Sequence, residues 1–145
     1  MGKLSEFKAA VAAISAKTPG VIVQASLLSK TKHGAVPTGI YGLDLLLGGG
    51  LQRSKITHVY GESKVGKTGA MLETVALNQK LDKQFTTAVI NTEAYWNDDS
   101  GRREELGIDE SRLFLLNSGD HEQSIDIALE LVKSGALDLL IWDSI

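Results

Sequence analysis

The stretch that most constrains the fold of this chain is residues 61–68, which read Gly-Glu-Ser-Lys-Val-Gly-Lys-Thr. They match the full pattern G-x-x-x-x-G-K-S/T, a glycine-rich turn whose backbone N–H groups bind phosphate oxygens. The pattern requires a strand before it, and residues 55–60 are rich in β-branched and aromatic residues. It also requires a helix after it, and Leu72, Val75 and Ala76 recur at helical spacing. The sequence therefore predicts a strand, a phosphate-binding loop and a helix in succession.

The loop predicts a site for a nucleoside triphosphate rather than a mere glycine-rich turn before a helix. Lys67 would reach the β- and γ-phosphates as a mobile point charge. Thr68 would offer its hydroxyl oxygen to Mg²⁺, a hard cation that prefers oxygen ligands. The residues predicted to contact the phosphates are Gly61, Glu62, Ser63, Lys64, Val65, Gly66, Lys67, Thr68 and Gly69.

Composition limits the classes of protein to which the chain can belong. Its 145 residues are the size of one domain, and its net charge of −3 gives no global basic field for nucleic acid. Cysteine is absent, which excludes disulfides and thiolate metal sites and is compatible with a reducing compartment. The sequence shows no apolar run near the roughly 20 residues of a membrane span and no signal-peptide core. We therefore expect a cytoplasmic protein with no membrane partner.

Strand and helix patterns alternate along the chain. A helix is predicted over residues 102–106, and Asp120 with Gln123 predicts the start of a second one that ends at Gly135. The apolar residues predicted to form the buried stripe of this second helix are Ile125, Ala128, Leu129 and Val132. Strands are predicted at residues 86–91, 112–116 and 137–143. This alternation predicts an α/β fold with a mostly parallel sheet flanked by helices.

Two acids follow predicted strands and are candidates for the chemistry of the site. Asp143 ends a nearly continuous apolar strand, and ligands of open α/β sheets collect at that edge. Its carboxylate would hold Mg²⁺ opposite Thr68, the alternative being an aspartate that caps a helix or turn. Glu93 follows the strand at residues 86–91 and would orient or deprotonate an attacking water, the alternative being an exposed glutamate.

Other side chains near these acids allow more than one interpretation. Tyr95 and Trp96 have aromatic faces that would stack on an adenine, or would fill the core or an interface. The acidic run Asp98-Asp99 beside Arg102-Arg103 is interpreted as a solvated surface.

The N-terminal segment predicts a short amphipathic helix. Its apolar residues Leu4, Phe7, Val11 and Ile14 share one helical face, and Pro19-Gly20 would end the helix. A short strand is predicted next, at residues 21–23. The helix is either an ordinary capping helix or a docking element for a neighbouring subunit, because an apolar stripe looks the same in both cases.

Several segments together resemble the RecA family of strand-exchange recombinases. Thr38-Gly39, Leu43-Asp44 and the glycine run of residues 48–50 are similar to that family's signature upstream of its phosphate loop. Asn91-Thr92-Glu93 resembles its strand-end segment with the catalytic glutamate, and residues 134–144 resemble its later strand. The resemblance extends from about residue 21 to residue 145.

The resemblance implies a RecA-like P-loop NTPase, a DNA-dependent ATPase that forms filaments on single-stranded DNA and exchanges strands in recombination and repair. Lys67 and Thr68 would bind ATP phosphates and Mg²⁺, Glu93 would activate water, and Asp143 would support Mg²⁺. Asn97 and Ser100 fall near the family's adenine contacts. Residues 1–35 would contain the subunit-contact helix, and residues 36–145 would be the N-terminal portion of the ATPase core.

Some positions depart from the family pattern. Gly69 stands where the family often has a second hydroxyl residue, and Lys64 lies inside the loop. The position of the family's adenine-stacking tyrosine falls near Ser100, and Trp142 is bulkier than usual. The family's DNA-binding loops, its γ-phosphate-sensing residue and its trans-acting cations lie beyond residue 145, and so do its remaining strands. We therefore expect an incomplete sheet and negligible ATP turnover from these 145 residues alone. The alternatives are a RecA-fold ATPase of helicase, clock or signalling type, or a nucleotide-binding accessory paralogue without DNA loops.

Overall fold

The computed structural model describes residues 2–17, 34–92, 95–117 and 119–143. The chain divides into two compact units, residues 1–32 and residues 33–145. In the first unit the predicted helix is confirmed as α1 (Lys3–Lys17), and none of its residues is buried. Pro19-Gly20 and the strand predicted at residues 21–23 lie outside the described residues. No helix in the described ranges is long and apolar enough to cross a membrane.

The second unit contains a three-stranded parallel sheet whose strands are connected along the chain by helices. This confirms the predicted α/β fold with parallel strands. The strand order is β4-β3-β5, and Asn91 at the end of β3 is level with Asp143 at the end of β5. The elements are β1 (Ala35–Val36), α2 (Tyr41–Leu47), β2 (Leu51–Gln52), α3 (Lys67–Leu81), β3 (Thr87–Asn91), α4 (Tyr95–Asp98), α5 (Ser100–Leu106), a 3-10 turn (Glu110–Arg112), β4 (Leu113–Leu116), α6 (His121–Ser134) and β5 (Leu139–Asp143).

The core is centred on β3, all five residues of which are buried. The predicted apolar face of α3 packs here, because Leu72, Val75 and Ala76 are at most 2% exposed and belong to the same cluster as Val89. Burying a leucine or valine side chain stabilises a fold by roughly 1.5–3 kcal/mol. This packing places the N-terminus of α3 at the carboxyl end of the sheet.

The segment upstream of the phosphate loop forms a small hairpin bonded to α3. β1 and β2 pair antiparallel, and the chain between them contains α2. Asn78 Nδ2 donates to the carbonyl oxygen of Pro37 at 2.8 Å. Thr74 Oγ1 lies 3.2 Å from the carbonyl oxygen of Thr38, and its one hydrogen is shared between that oxygen and the carbonyl of Ala70 at 2.8 Å. Both donors are on α3, so the hairpin holds the helix that follows the phosphate loop.

The strand predicted at residues 55–60 is wrong for this structure. These residues have no regular secondary structure and are exposed, and Ile56 is fully accessible to solvent. β-branched residues favour a strand only where a neighbouring strand and a packing face exist. The sheet of described residues places no strand beside this segment.

The predicted buried stripe of α6 is only partly correct. Ser124 and Ala128 are buried, whereas Ile125, Leu129 and Val132 are 47%, 50% and 59% exposed. The helix therefore packs through its small residues, and three larger apolar side chains remain accessible. Periodicity identified an amphipathic helix here, but tertiary packing selected a neighbouring face.

Candidate functional site

The phosphate-loop motif forms an exposed turn that leads directly into α3. Lys64 and Gly66 have positive φ angles of 63° and 97°, a left-handed backbone that glycine adopts readily and lysine does not. Gly66 is the N-cap of α3, and no side chain caps the helix there. By contrast, Asp120 caps α6 by accepting from two backbone N–H groups. The first N–H groups of α3 are therefore free of a side-chain acceptor, as an anion site at a helix N-terminus requires.

The ammonium group of Lys67 lies against the loop. Its Nζ donates to the carbonyl oxygens of Gly61 at 3.0 Å and Glu62 at 2.8 Å. An ammonium has three N–H donors, so two carbonyls position it without using all of them. The structure thus places the predicted lysine charge within the loop.

Thr68 and Asp143 are in direct contact although 75 positions separate them. Thr68 Oγ1 donates to Asp143 Oδ2 at 2.9 Å, because α3 packs on the sheet with its first turn beside the end of β5. A hydroxyl that donates its hydrogen keeps its oxygen lone pairs for another partner.

This pair of oxygens fits Mg²⁺. No group of three or more His, Asp or Glu side chains that could hold a metal occurs in the described part of the chain. Mg²⁺ is usually held by one or two carboxylates together with waters and substrate phosphates, so a hydroxyl and a carboxylate are a sufficient donor set.

The ends of β3 and β5 are bonded to each other at this site. The carbonyl oxygen of Asp143 accepts from the backbone N–H of Thr92 at 2.9 Å and from its hydroxyl at 3.1 Å. Asn91 Nδ2 donates to Asn117 Oδ1 at 2.8 Å, and this bond joins the end of β3 to the residue that follows β4. Glu93 follows Thr92 but lies outside the described residues, so its predicted role stays a prediction.

Trp96 does not have an exposed aromatic face. It is fully buried in the core, so of the two interpretations the structure supports a core residue rather than an adenine platform. Its indole Nε1 donates to Asp143 Oδ2 at 2.9 Å, which sequence reasoning did not anticipate. The side chain of Tyr95 lies outside the description.

The interpretation of Asp98-Asp99 beside Arg102-Arg103 as a solvated surface is wrong for Arg103. This residue is 6% exposed, its Nε is 2.9 Å from Glu110 Oε1, and its guanidinium also donates to the carbonyl oxygen of Trp96. A buried guanidinium requires such partners. Nothing in the local spacing distinguishes Arg103 from its exposed neighbour Arg102.

Arg102 on α5 lies beside Gly69, the residue that follows the loop motif. A Cβ atom added to Gly69 would lie 3.5 Å from an Arg102 guanidinium nitrogen, at ordinary van der Waals distance, so the Arg102 guanidinium lies beside the first turn of α3. Asn97 and Ser100, predicted near an adenine, are exposed, and Ser100 lines a shallow cavity with Glu104 and Glu110.

Two carboxylates that support these elements have lowered pKa values. The backbone N–H of Thr38, and then its hydroxyl, lower the pKa of Asp44 below its ordinary value of 3.8, against an opposing effect of burial. The hydroxyl of Ser111, and then the guanidinium of Arg112, lower the pKa of Asp109. Asp109 adjoins α3, since its carbonyl oxygen accepts from Gln79 Nε2 at 3.1 Å.

Comparison with known proteins identifies similar sequences. The family model of the RecA N-terminal domain matches residues 6–145. Protein RecA of Solidesulfovibrio magneticus is 37% identical over 127 residues, which cover 87% of this chain and 35% of that protein. Protein RecA of Nitratidesulfovibrio vulgaris is 38% identical over 122 residues, which cover 81% of this chain and 33% of that protein. The chain thus spans about a third of the length of these curated relatives.

Proposed function

The chain belongs to the RecA family, and on that premise we propose that it is the ATP-binding part of a RecA-like DNA recombinase. The observation that best supports this function is the hydrogen bond from Thr68 to Asp143. It brings the end of the phosphate loop to the carboxyl end of the sheet, where α/β proteins bind ligands. The proposed fold is accordingly that of a RecA-like P-loop NTPase.

In this proposal the loop binds the ATP phosphates with fixed dipoles and one charge. The uncapped N–H groups of α3 and the positive end of its dipole favour an anion. Lys67 has an N–H group to give to a phosphate while two loop carbonyls hold its ammonium in place. Together they would stabilise the charge that develops on the transferred group.

Mg²⁺ would be held by Thr68 and Asp143, and when bound it supplies charge neutralisation at the phosphates. Asp143 orients the Thr68 hydroxyl by accepting its hydrogen. The backbone of Asp143 is bonded to Thr92, and this bond holds the strand end that precedes Glu93. Glu93 is proposed as the base that activates the attacking water.

The proposed partners are single-stranded DNA, bound through regions beyond residue 145, and further copies of the protein assembled into a filament through α1. The support for the latter is the exposed apolar face of α1, where Leu4 and Phe7 are each 66% exposed. The proposed compartment is the cytoplasm.

The proposal is tested with the full-length protein and the substitution Lys67→Ala. We expect ATP hydrolysis stimulated by single-stranded DNA to fall by on the order of 100-fold, because the main phosphate-binding cation is lost. The matched control is Lys80→Ala, which removes an exposed lysine from the last turn of the same helix and should leave turnover within about twofold.

The outcomes separate the proposed function from its alternatives. Hydrolysis that is unchanged in Lys67→Ala would reject the ATP site at this loop. Hydrolysis that depends on Lys67 but not on single-stranded DNA, with no filaments in electron micrographs, would favour a RecA-fold ATPase with another role.

A further inference from the structure

Trp96 contacts the carboxylate assigned to Mg²⁺ through its indole. Its Nε1 and Thr68 Oγ1 both donate to Asp143 Oδ2, each at 2.9 Å. The same carboxylate oxygen therefore accepts one hydrogen from the helix after the phosphate loop and one from the segment after β3. Two donors from different elements restrict the rotation of the carboxyl group more than one donor would.

The indole itself is held in place by the surrounding structure. Trp96 is fully buried, and its backbone N–H donates to Asn91 Oδ1 at 3.4 Å. Its carbonyl oxygen accepts from Arg103, whose guanidinium also pairs with Glu110 at 2.9 Å. The donor is thus attached to β3 on one side and to α5 on the other.

We propose that Trp96 is a positioning residue that holds the Asp143 carboxylate in the orientation needed for Mg²⁺. The inference rests on the proposed function, since it assumes that Thr68 and Asp143 hold Mg²⁺ with ATP. In this role Trp96 would contact neither the ion nor the nucleotide. It acts through Asp143, as outer-shell hydrogen bonds do at metal sites.

Trp142 is a matched control of the same residue type. It precedes Asp143 in β5, and its indole nitrogen is buried but has no hydrogen-bond partner among the described residues. The loss of an indole N–H at position 142 therefore changes the same chemical group without removing a bond to Asp143.

The test replaces the indole N–H of Trp96 by sulfur, with 3-benzothienylalanine in the full-length protein. This residue keeps the shape of tryptophan and lacks only the donor. Binding of a fluorescent ATP analogue is measured in EDTA and over a Mg²⁺ titration. We expect binding in EDTA to be unchanged and the Mg²⁺ concentration at half-effect to rise about tenfold, in line with typical outer-shell substitutions. The same replacement at Trp142 should leave both quantities unchanged.

Rescue by a residue that retains the donor completes the design. 5-Fluorotryptophan at position 96 keeps the N–H and should restore the Mg²⁺ dependence of the natural protein. Equal Mg²⁺ dependence in the benzothienyl and natural proteins, or an equal loss at Trp142, would overturn the inference. So would a benzothienyl variant that fails to fold while the fluorotryptophan variant folds, because the bond would then serve the fold.

Failure of the proposed function is a different result. In that case the natural protein itself would show no Mg²⁺-dependent binding of the ATP analogue.

Discussion

At the scale of single residues, Asp44 shows how one side chain organises the segment before the phosphate loop. Its carboxylate accepts from the backbone N–H and the hydroxyl of Thr38, at 2.8 and 2.7 Å, and from the N–H of Gly39 at 3.2 Å. Thr38 is fully buried and its carbonyl oxygen accepts from Thr74 on α3. The aspartate thereby stabilises the turn that contacts α3.

The bonds to Asp44 predict a pH dependence of stability. Because they lower the pKa of Asp44 in the folded protein, its contribution is complete above the ordinary value of 3.8 and is lost as pH falls through the lower folded pKa. Asp44→Asn should therefore be less stable than the natural protein at pH 7, and the difference should shrink below pH 3.8. Urea unfolding over a pH series measures this difference.

The control for this prediction is Asp98→Asn, a change at an exposed carboxylate of α4. It should leave the unfolding free energy nearly unchanged at pH 7. A difference between Asp44→Asn and the natural protein that stays constant from pH 7 to pH 3 would contradict the assigned role of the charge.

At the scale of elements, the β1–β2 hairpin depends on the close approach of two backbones. Gly50 precedes β2 with a φ of 124°, and an added Cβ would lie 2.7 Å from the Cα of Pro37 and closer still to the carbonyl oxygen of Val36. No side chain fits this space without separating the two strands. The triple glycine thus has a second purpose besides ending α2, which Gly48 does in a left-handed conformation.

Gly50→Ala should destabilise the protein by about 2 kcal/mol or more, since it combines left-handed strain with a clash between backbones. Gly42→Ala is the matched control, because Gly42 lies in α2 and an added Cβ would meet no atom within 4 Å. It should be neutral or stabilising by up to about 1 kcal/mol, as alanine favours a helix more than glycine does. Denaturant unfolding of both variants measures the contrast, and equal stabilities would contradict the packing described.

At the scale of the whole molecule, one exposed segment with large apolar side chains lies outside the three-stranded sheet, at residues 55–60. Residues 55–60 lie immediately before the phosphate loop, and their backbone N–H groups have no hydrogen-bond partner among the described residues. Unpaired, exposed segments of this kind open at little free-energy cost. The phosphate loop is therefore bordered by a well-packed helix on one side and an unpaired segment on the other.

Hydrogen exchange should show this asymmetry in a protein of these 145 residues. Amides of residues 56–60 should exchange at nearly the rate of an unstructured peptide, whereas those of β3 should be the most protected. Mass spectrometry of peptides covering the two segments measures both in one sample. Equal protection of residues 56–60 and β3 would show that residues 55–60 pair as a strand.

Much of the fold could be predicted because its signals are local. The glycines predicted where helices end, as at Gly107 and Gly135, which both have left-handed conformations. The Asp120 cap predicted where α6 begins. The three parallel strands followed from apolar runs bounded by turns. Residues 55–60 were mispredicted because a strand also needs a partner, which no local pattern supplies.

The sequence by itself determined the glycine-rich motif of residues 61–68, the alternation of strands and helices, and the acids placed after the strands, because each depends on residues close together in the chain. Only the tertiary structure decided that Thr68 and Trp96 share one oxygen of Asp143 and that Arg103 is buried. These contacts join residues far apart in sequence, and they arise from how α3 packs on the sheet and how the chain returns after β3. Spacing along a chain does not carry that information, because burial and hydrogen-bond partners are properties of the packed molecule.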